Sequence, residues 1–255
     1  MKVFAIALNT FREAIRNKIL YSIVFFAFLV VGVAAIFGAA SIGDQMKFVK
    51  DFSLMSIALF GVIIAILLGV NLLHQELGEK TIFNILSKPV ARWHFIVGKF
   101  LGLFGTLTLL VALMSACVIA ILALFERRLD WGLVLASVAT LMELLVIIAF
   151  ALFFSTIVVT PTLAGLFTAA AFVAGRSSSY LHYFFGDDSA PSVRVGARVL
   201  YWILPHLDRF NIADQVVYGN YFDLPYFLAI ITYAVAYSTV LLLLSVALFS
   251  RREFT

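Results

Sequence analysis

One cysteine, Cys117, stands in a chain of 255 residues. It cannot pair within the chain, which excludes a disulfide-stapled extracellular scaffold. Charge is equally scarce. Only 13% of residues are Asp, Glu, Lys or Arg, too few to clothe a soluble globule of this size. No Gly-x-x-x-x-Gly-Lys-Ser/Thr run occurs: Gly78-Glu79-Lys80-Thr81 lacks the preceding glycine, and Gly98-Lys99 is followed by Phe100. The chain therefore has no phosphate cradle of this kind. A His-Glu-x-x-His pair and a Gly-x-Ser-x-Gly elbow are missing too, and with them the zinc-hydrolase and serine-hydrolase constellations. The four histidines, His74, His94, His182 and His206, are scattered and suggest no metal site. No catalytic, cofactor-binding or metal-binding residue is assigned.

What is present is apolar. The chain is 64% hydrophobic with 26 Phe, which excludes intrinsic disorder and leaves a multi-pass membrane protein. The net charge of +4 suits contact with anionic lipid better than nucleic-acid binding. A hydrocarbon core of ~30 Å needs ~20 apolar residues in helix. Six stretches approach that length: residues 19–40, 52–73, 100–125, 131–154, 157–175 and 228–249. They are continuously apolar rather than alternating, so helices are expected and a β-barrel is not. The expected fold is an all-α membrane protein of six transmembrane helices in one domain spanning residues 1–255. The first run is too long for a signal-peptide core and follows a charged segment, so it is read as a retained helix.

Six crossings place both termini on one side. With the N-terminus inside, inner segments hold ten Lys and Arg and outer segments eight. The excess is clearest at the first crossing and at Arg251-Arg252, so cytoplasmic termini are expected. Residues 1–18 form an interfacial helix on helical periodicity. Phe4, Leu8, Phe11 and Ile15 share one face, while Asn9, Arg12, Glu13 and Arg16 share another. Residues 176–227 carry turn formers and the aromatics Tyr180, Tyr183, Tyr201, Trp202, Tyr218 and Tyr221, and are expected on the outer membrane surface. Pro161 is placed to begin a helix after a short turn.

The inner segment 74–98 mixes charges with apolar Ile82, Phe83, Ile85, Leu86 and Val90. Gly78 breaks or caps a helix, and Pro89 ends a short one over residues 81–87. A short helix fixed to two crossings is a lever.

Here the sequence resembles a family. Glu76-Leu77-Gly78-Glu79-Lys80-Thr81, then Leu86-Ser87-Lys88-Pro89-Val90-Ala91-Arg92, then Gly98-Lys99-Phe100 look like the cytoplasmic signature of ABC-2 type transporter permeases. The run Leu204-Pro205-His206-Leu207-Asp208-Arg209-Phe210-Asn211 is similar to a motif before the last span in some members. Lys80 departs from the Gly-Thr of many relatives. The resemblance implies the membrane half of an ABC transporter, with residues 81–87 as a coupling helix seated on a separate ATP-binding subunit. Glu76, Gly78, Glu79, Lys80, Thr81, Phe83, Leu86, Ser87, Pro89 and Arg92 would make that contact. It further implies pairing of two permeases with two ATPases, ATP and Mg bound in the partner and none in this chain, a cell (inner) membrane location, and export. The Phe, Leu, Ala and Gly that would line the path, with few Ser and Thr, favour a hydrophobic or amphipathic substrate. The rival readings are a membrane structural subunit or passive channel without ATP coupling, and an intramembrane enzyme.

Glu143 is the acidic residue inside a span. Its insertion penalty of ~2.5–3.5 kcal/mol is outweighed by the roughly 4–8 kcal/mol that the surrounding Leu, Ile, Phe and Val side chains contribute. It should face protein or water. With no intramembrane basic partner legible in the sequence, a structural hydrogen bond between helices is the expected role. Gly61, Ala65 and Gly69, and also Gly98 and Gly102, recur every four residues and predict close helix contacts.

Overall fold

Continuous apolar sequence becomes helix in a membrane because each backbone N–H must find a carbonyl within its own segment. The computed structural model describes residues 2–40, 45–78, 92–126, 130–180, 191–218 and 224–251. The described residues form nine α-helices and two short 3-10 turns, with no strand among them. In chain order the helices are α1 (Lys2–Ile15), α2 (Lys18–Ala40), α3 (Gln45–Gly78), α4 (Arg92–Glu126), α5 (Trp131–Ile157), α6 (Pro161–Arg176), α7 (Pro191–Ile203), α8 (Ala213–Val217) and α9 (Leu224–Arg251); the 3-10 turns are 178–180 and Leu207–Phe210.

Four helices, α3, α4, α5 and α9, are long and apolar enough to cross a membrane. The count reaches five if α1 and α2, bent by 62° at their junction, make one broken span. The described residues are thus all-α with four or five crossing candidates among them, where the sequence reading expected six. The shortfall includes α6. At 16 residues it is ~24 Å long, under the ~30 Å of the hydrocarbon core.

Several boundaries move for identifiable reasons. Residues 45–51, expected in a loop, already belong to α3, whose charged first turns are held by Lys50 donating to Asp130 Oδ2 at 3.0 Å. The same Asp130 caps α5, its Oδ1 accepting from the Gly132 N–H at 2.9 Å and so satisfying one of the donors a helix start leaves free. At its far end α5 runs through Ile157, and Pro161 then starts α6 where a missing N–H costs nothing. The inner segment narrows as well, because α3 continues through Gly78 and α4 begins at Arg92. The coupling helix expected over residues 81–87 lies outside the described residues.

Helix α5 is the post of the structure. From Glu143 to Leu152 every side chain is buried, so this stretch is enclosed on all sides. It packs against α3, α4, α6 and α9. Contact with α3 depends on absent side chains: a Cβ on Gly61 would lie 2.8 Å from Leu144 Cδ1, and one on Gly69 would lie 2.7 Å from Ala151 Cβ. The predicted small-residue stripe on α3 therefore seats α5.

Helix α1 has three faces. Ala14 and Thr10 are buried, with Val3, Ile6 and Ala7 on the same side, and this side lies on the start of α4 at Gly98 and Gly102. The predicted greasy face is a second one, turned outward, with Phe4 72% exposed. Asn9, Arg12 and Arg16 form the third. The division follows from spacing, since the three sets sit ~120° apart around the helix.

Two substitutions test the α1 seat. A Cβ on Gly102 would meet the Ala7 carbonyl oxygen at 2.5 Å and Thr10 Cβ at 2.6 Å, whereas one on Gly105 meets nothing nearer than Phe11 at 3.6 Å. Gly102→Ala is expected to destabilise the protein by ~1–3 kcal/mol and Gly105→Ala to leave it nearly unchanged, read from thermal unfolding in detergent.

Candidate functional site

Two regions concentrate polar groups in this apolar bundle. They lie at opposite ends of the long helices.

At the end where α3 finishes and α4 starts, three side chains tie the helices together. Arg92, in the first turn of α4, donates through Nη1 to the carbonyls of Phe249 at 3.0 Å and Ser250 at 2.7 Å. These are C-terminal carbonyls of α9, where a cation meets both orphan acceptors and the negative end of the helix dipole. Lys99 is 1% exposed. Its Nζ donates to the Leu72 carbonyl of α3 at 3.2 Å and stands 3.7 Å from Glu13 Oε2 of α1. A buried ammonium needs such partners. His74 of α3 sets one ring nitrogen 3.0 Å from the Val70 carbonyl and the other 3.2 Å from the Val158 carbonyl, at the elbow between α5 and α6. The two flanks of the 79–91 connector are thus joined to α1, to the α5–α6 elbow and to α9.

Of the residues expected to contact an ATPase, Arg92 has a described side chain, placed as above. Glu76 and Gly78 sit in the last turn of α3. Glu79, Lys80, Thr81, Phe83, Leu86, Ser87 and Pro89 lie outside the described residues.

At the opposite end, Glu143 does have a basic partner. Arg176, the last residue of α6, donates through Nη1 to Glu143 Oε1 at 2.6 Å. This corrects the expectation that the carboxylate lacks one. The Glu143 side chain is 2% exposed and that of Arg176 32%. Sequence reasoning placed Arg176 in an outer loop and missed the pair, yet a signal existed. In an antiparallel helix hairpin, residues equidistant from the turn face each other. Glu143 lies sixteen residues before Val159, and Arg176 seventeen after it.

The pair borders a cavity of about 420 Å³ between α3, α5, α6 and the segment 210–214. Asp51, Asn211 and Asp214 contribute further polar groups; Leu54, Met55, Leu59, Phe172 and Phe210 contribute apolar wall.

Residues 205–212 at this end are inlaid among the helices. Leu207 and Phe210 are buried. A ladder of α9 tyrosines satisfies this irregular backbone. Tyr226 Oη donates to the Arg209 carbonyl at 3.1 Å, Tyr233 Oη accepts from the His206 N–H at 3.0 Å, and Tyr237 Oη donates to the Ile203 carbonyl at 3.2 Å. Tyr237 is thirteen residues into α9, ~20 Å along it. Ser178 Oγ donates to Asp208 Oδ1 at 2.8 Å. Gly175 admits Pro205, whose carbonyl oxygen would lie 2.8 Å from an added Cβ.

A family model described as ABC-2 family transporter protein matches residues 14–173, well over half of the chain. The chain belongs to the ABC-2 transporter family. No curated protein matches it. As an ABC-2 permease it is a multi-pass membrane subunit of an ABC transporter, of a family that partners with an ABC ATPase subunit and is generally not itself catalytic. The matched region takes in α2 to α5, the connector and Glu143. It stops short of Arg176, the Leu204–Asn211 motif and α9.

The ion pair yields an asymmetric expectation. Arg176→Met strands a buried carboxylate and should cost about 3–5 kcal/mol. Glu143→Gln leaves the more exposed Arg176 an amide oxygen to donate to and should cost less, and adding it to Arg176→Met should recover part of the loss. Thermal unfolding of the three variants in nanodiscs measures this.

Proposed function

We propose that this permease couples ATP hydrolysis in a separate subunit to export of a hydrophobic or amphipathic substrate. In this reading the chain crosses the cell (inner) membrane six times, with α2 and the short α6 as the first and fifth crossings and both termini cytoplasmic. Two copies pair and carry two ATPase subunits, which bind ATP and Mg. Residues 79–91, with Glu76, Gly78 and Arg92 beside them, dock on the ATPase.

The observation that carries this reading is the stapling at the connector end. Because Lys99 joins α4 to α3 and α1, His74 joins α3 to the α5–α6 elbow, and Arg92 joins α4 to α9, a push on the connector is shared by most of the bundle. Deforming a single loop is not enough to absorb it. A packed core passes on such a displacement because it is not freely compressible. Export is favoured over import by the family resemblance of the cytoplasmic signature. An apolar or amphipathic cargo is favoured by the scarcity of charge in the apolar stretches from which a path would be built.

The test is a search for an ABC ATPase subunit in an adjacent reading frame and co-purification with it, followed by ATPase assays in vesicles. The wild-type permease should retain the subunit and raise its activity. A Glu79→Ala/Leu86→Ala permease that still inserts and unfolds normally should lose both. If the double variant retained and stimulated the ATPase like wild type, the docking assignment would be wrong. The passive-channel reading predicts that outcome, along with cargo flux that needs no ATP.

A further inference from the structure

The polar side chains around the 420 Å³ cavity are unbalanced in charge. Asp51, Glu143 and Asp214 face it, and Arg176 is the one cation among the described lining residues. Arg176 is committed to Glu143 at 2.6 Å, so this pair is close to neutral and the two aspartates set the sign. Neighbouring cations have other partners or positions. Lys50 holds Asp130 at 3.0 Å, and Lys47 Nζ lies 5.8 Å from the Tyr218 ring centre. Arg209, beside lining Phe210, is exposed and is not part of the wall. The rest of the wall is apolar and includes two aromatic rings, Phe172 and Phe210.

Volume, an apolar wall and a few convergent polar groups are the ordinary features of a small-molecule site. Carboxylates set beside aromatic faces select positive charge carried on an organic body. An anion would meet the two aspartates. A bare metal ion would find no three converging His, Cys, Asp or Glu side chains among the described residues.

We propose that this cavity binds an amphipathic organic cation, with its ammonium-like head between Asp51 and Asp214 and its apolar body against Leu54, Met55, Phe172 and Phe210. The inference deepens the transport reading by naming a cargo class and rests on it for that role; binding itself needs only this chain. The Glu143–Arg176 pair is the floor of the site. It fixes α5 against α6 and keeps a buried charge from drawing the head away from the mouth. The same head chemistry occurs on a free amphiphile and on an aminolipid.

The experiment uses the full chain in nanodiscs of amine-free galactolipid, with radiolabelled tetraphenylphosphonium and its anionic isostere tetraphenylborate in equilibrium dialysis. The phosphonium should bind saturably, one per chain, and the borate should only partition into lipid. An Asp51→Asn/Asp214→Asn variant should weaken phosphonium binding roughly tenfold. Both aspartates are exposed, so the fold should survive, as an unchanged unfolding temperature would verify. Met55→Trp, which narrows the cavity from an exposed position, should weaken binding of the phosphonium by a similar factor. In phosphatidylethanolamine discs, suppressed phosphonium binding assigns the site to a lipid amine and undiminished binding to a free cation; either supports a cation site. Absence of saturable phosphonium binding, equal binding of the borate, or binding indifferent to the aspartate changes overturns the proposal. Failure to retain the ATPase with cation binding intact counts against the coupling reading and leaves this one standing.

Discussion

Inside a bilayer, lipid tails are as apolar as leucine, so the hydrophobic effect does little to hold one helix against another. Fit must do that work, and here it centres on α5. The run Glu143–Leu152 is enclosed on every side, and α3 comes close enough to enclose it because Gly61 and Gly69 present no side chain. Dispersion contacts are individually weak and fall off steeply with a small gap. Removing those side chains therefore does more for cohesion than enlarging them could. The other helices take their positions from this post, and the polar staples refine positions already set by packing.

Each staple sits where packing alone leaves something unsatisfied. Arg92 meets the terminal carbonyls of α9, Lys99 a carbonyl of α3, and the α9 tyrosines the irregular backbone of residues 203–209. Non-helical backbone packed among apolar helices is tolerated where protein groups replace the missing helical partners. The tyrosine ladder supplies them at intervals that match the run of the segment along α9. The aromatic residues of this part of the chain are thus divided in role. Trp202, 79% exposed, faces outward, while Tyr233 and Tyr237 are spent on internal hydrogen bonds.

Much of the architecture was legible in the sequence because the constraint that builds it is one-dimensional. Length of apolar run, the start at Pro161 and the small-residue stripes read directly onto helices and contacts. The amphipathic N-terminal helix was also legible, but only in two faces. The third, Val3–Ile6–Ala7–Thr10–Ala14, is apolar but built of smaller side chains, and its meaning appears only when Gly98 and Gly102 are opposite it. Helix ends were misjudged where charged turns continue a helix past the apolar run, as at Gln45 and Arg92, because hydropathy marks the hydrocarbon and not the hydrogen-bond ladder. Arg176 escaped notice for a related reason. It was assigned by polarity to a loop, although its distance from the Val158–Thr160 turn mirrors that of Glu143. The cavity was not legible at all, since Asp51, Glu143 and Asp214 come from three distant stretches and converge only in the folded chain.

That mirrored placement has a mechanical corollary. Slipping α6 by one helical turn against α5 would displace it ~5.4 Å, carry the guanidinium away and leave the buried Glu143 carboxylate without its cation. The hairpin therefore works as a ruler with one permitted setting, pinned at its tip by Arg176 and at its fold by the His74 contact to Val158. A rearrangement that kept both contacts would carry α5 and α6 together as one body.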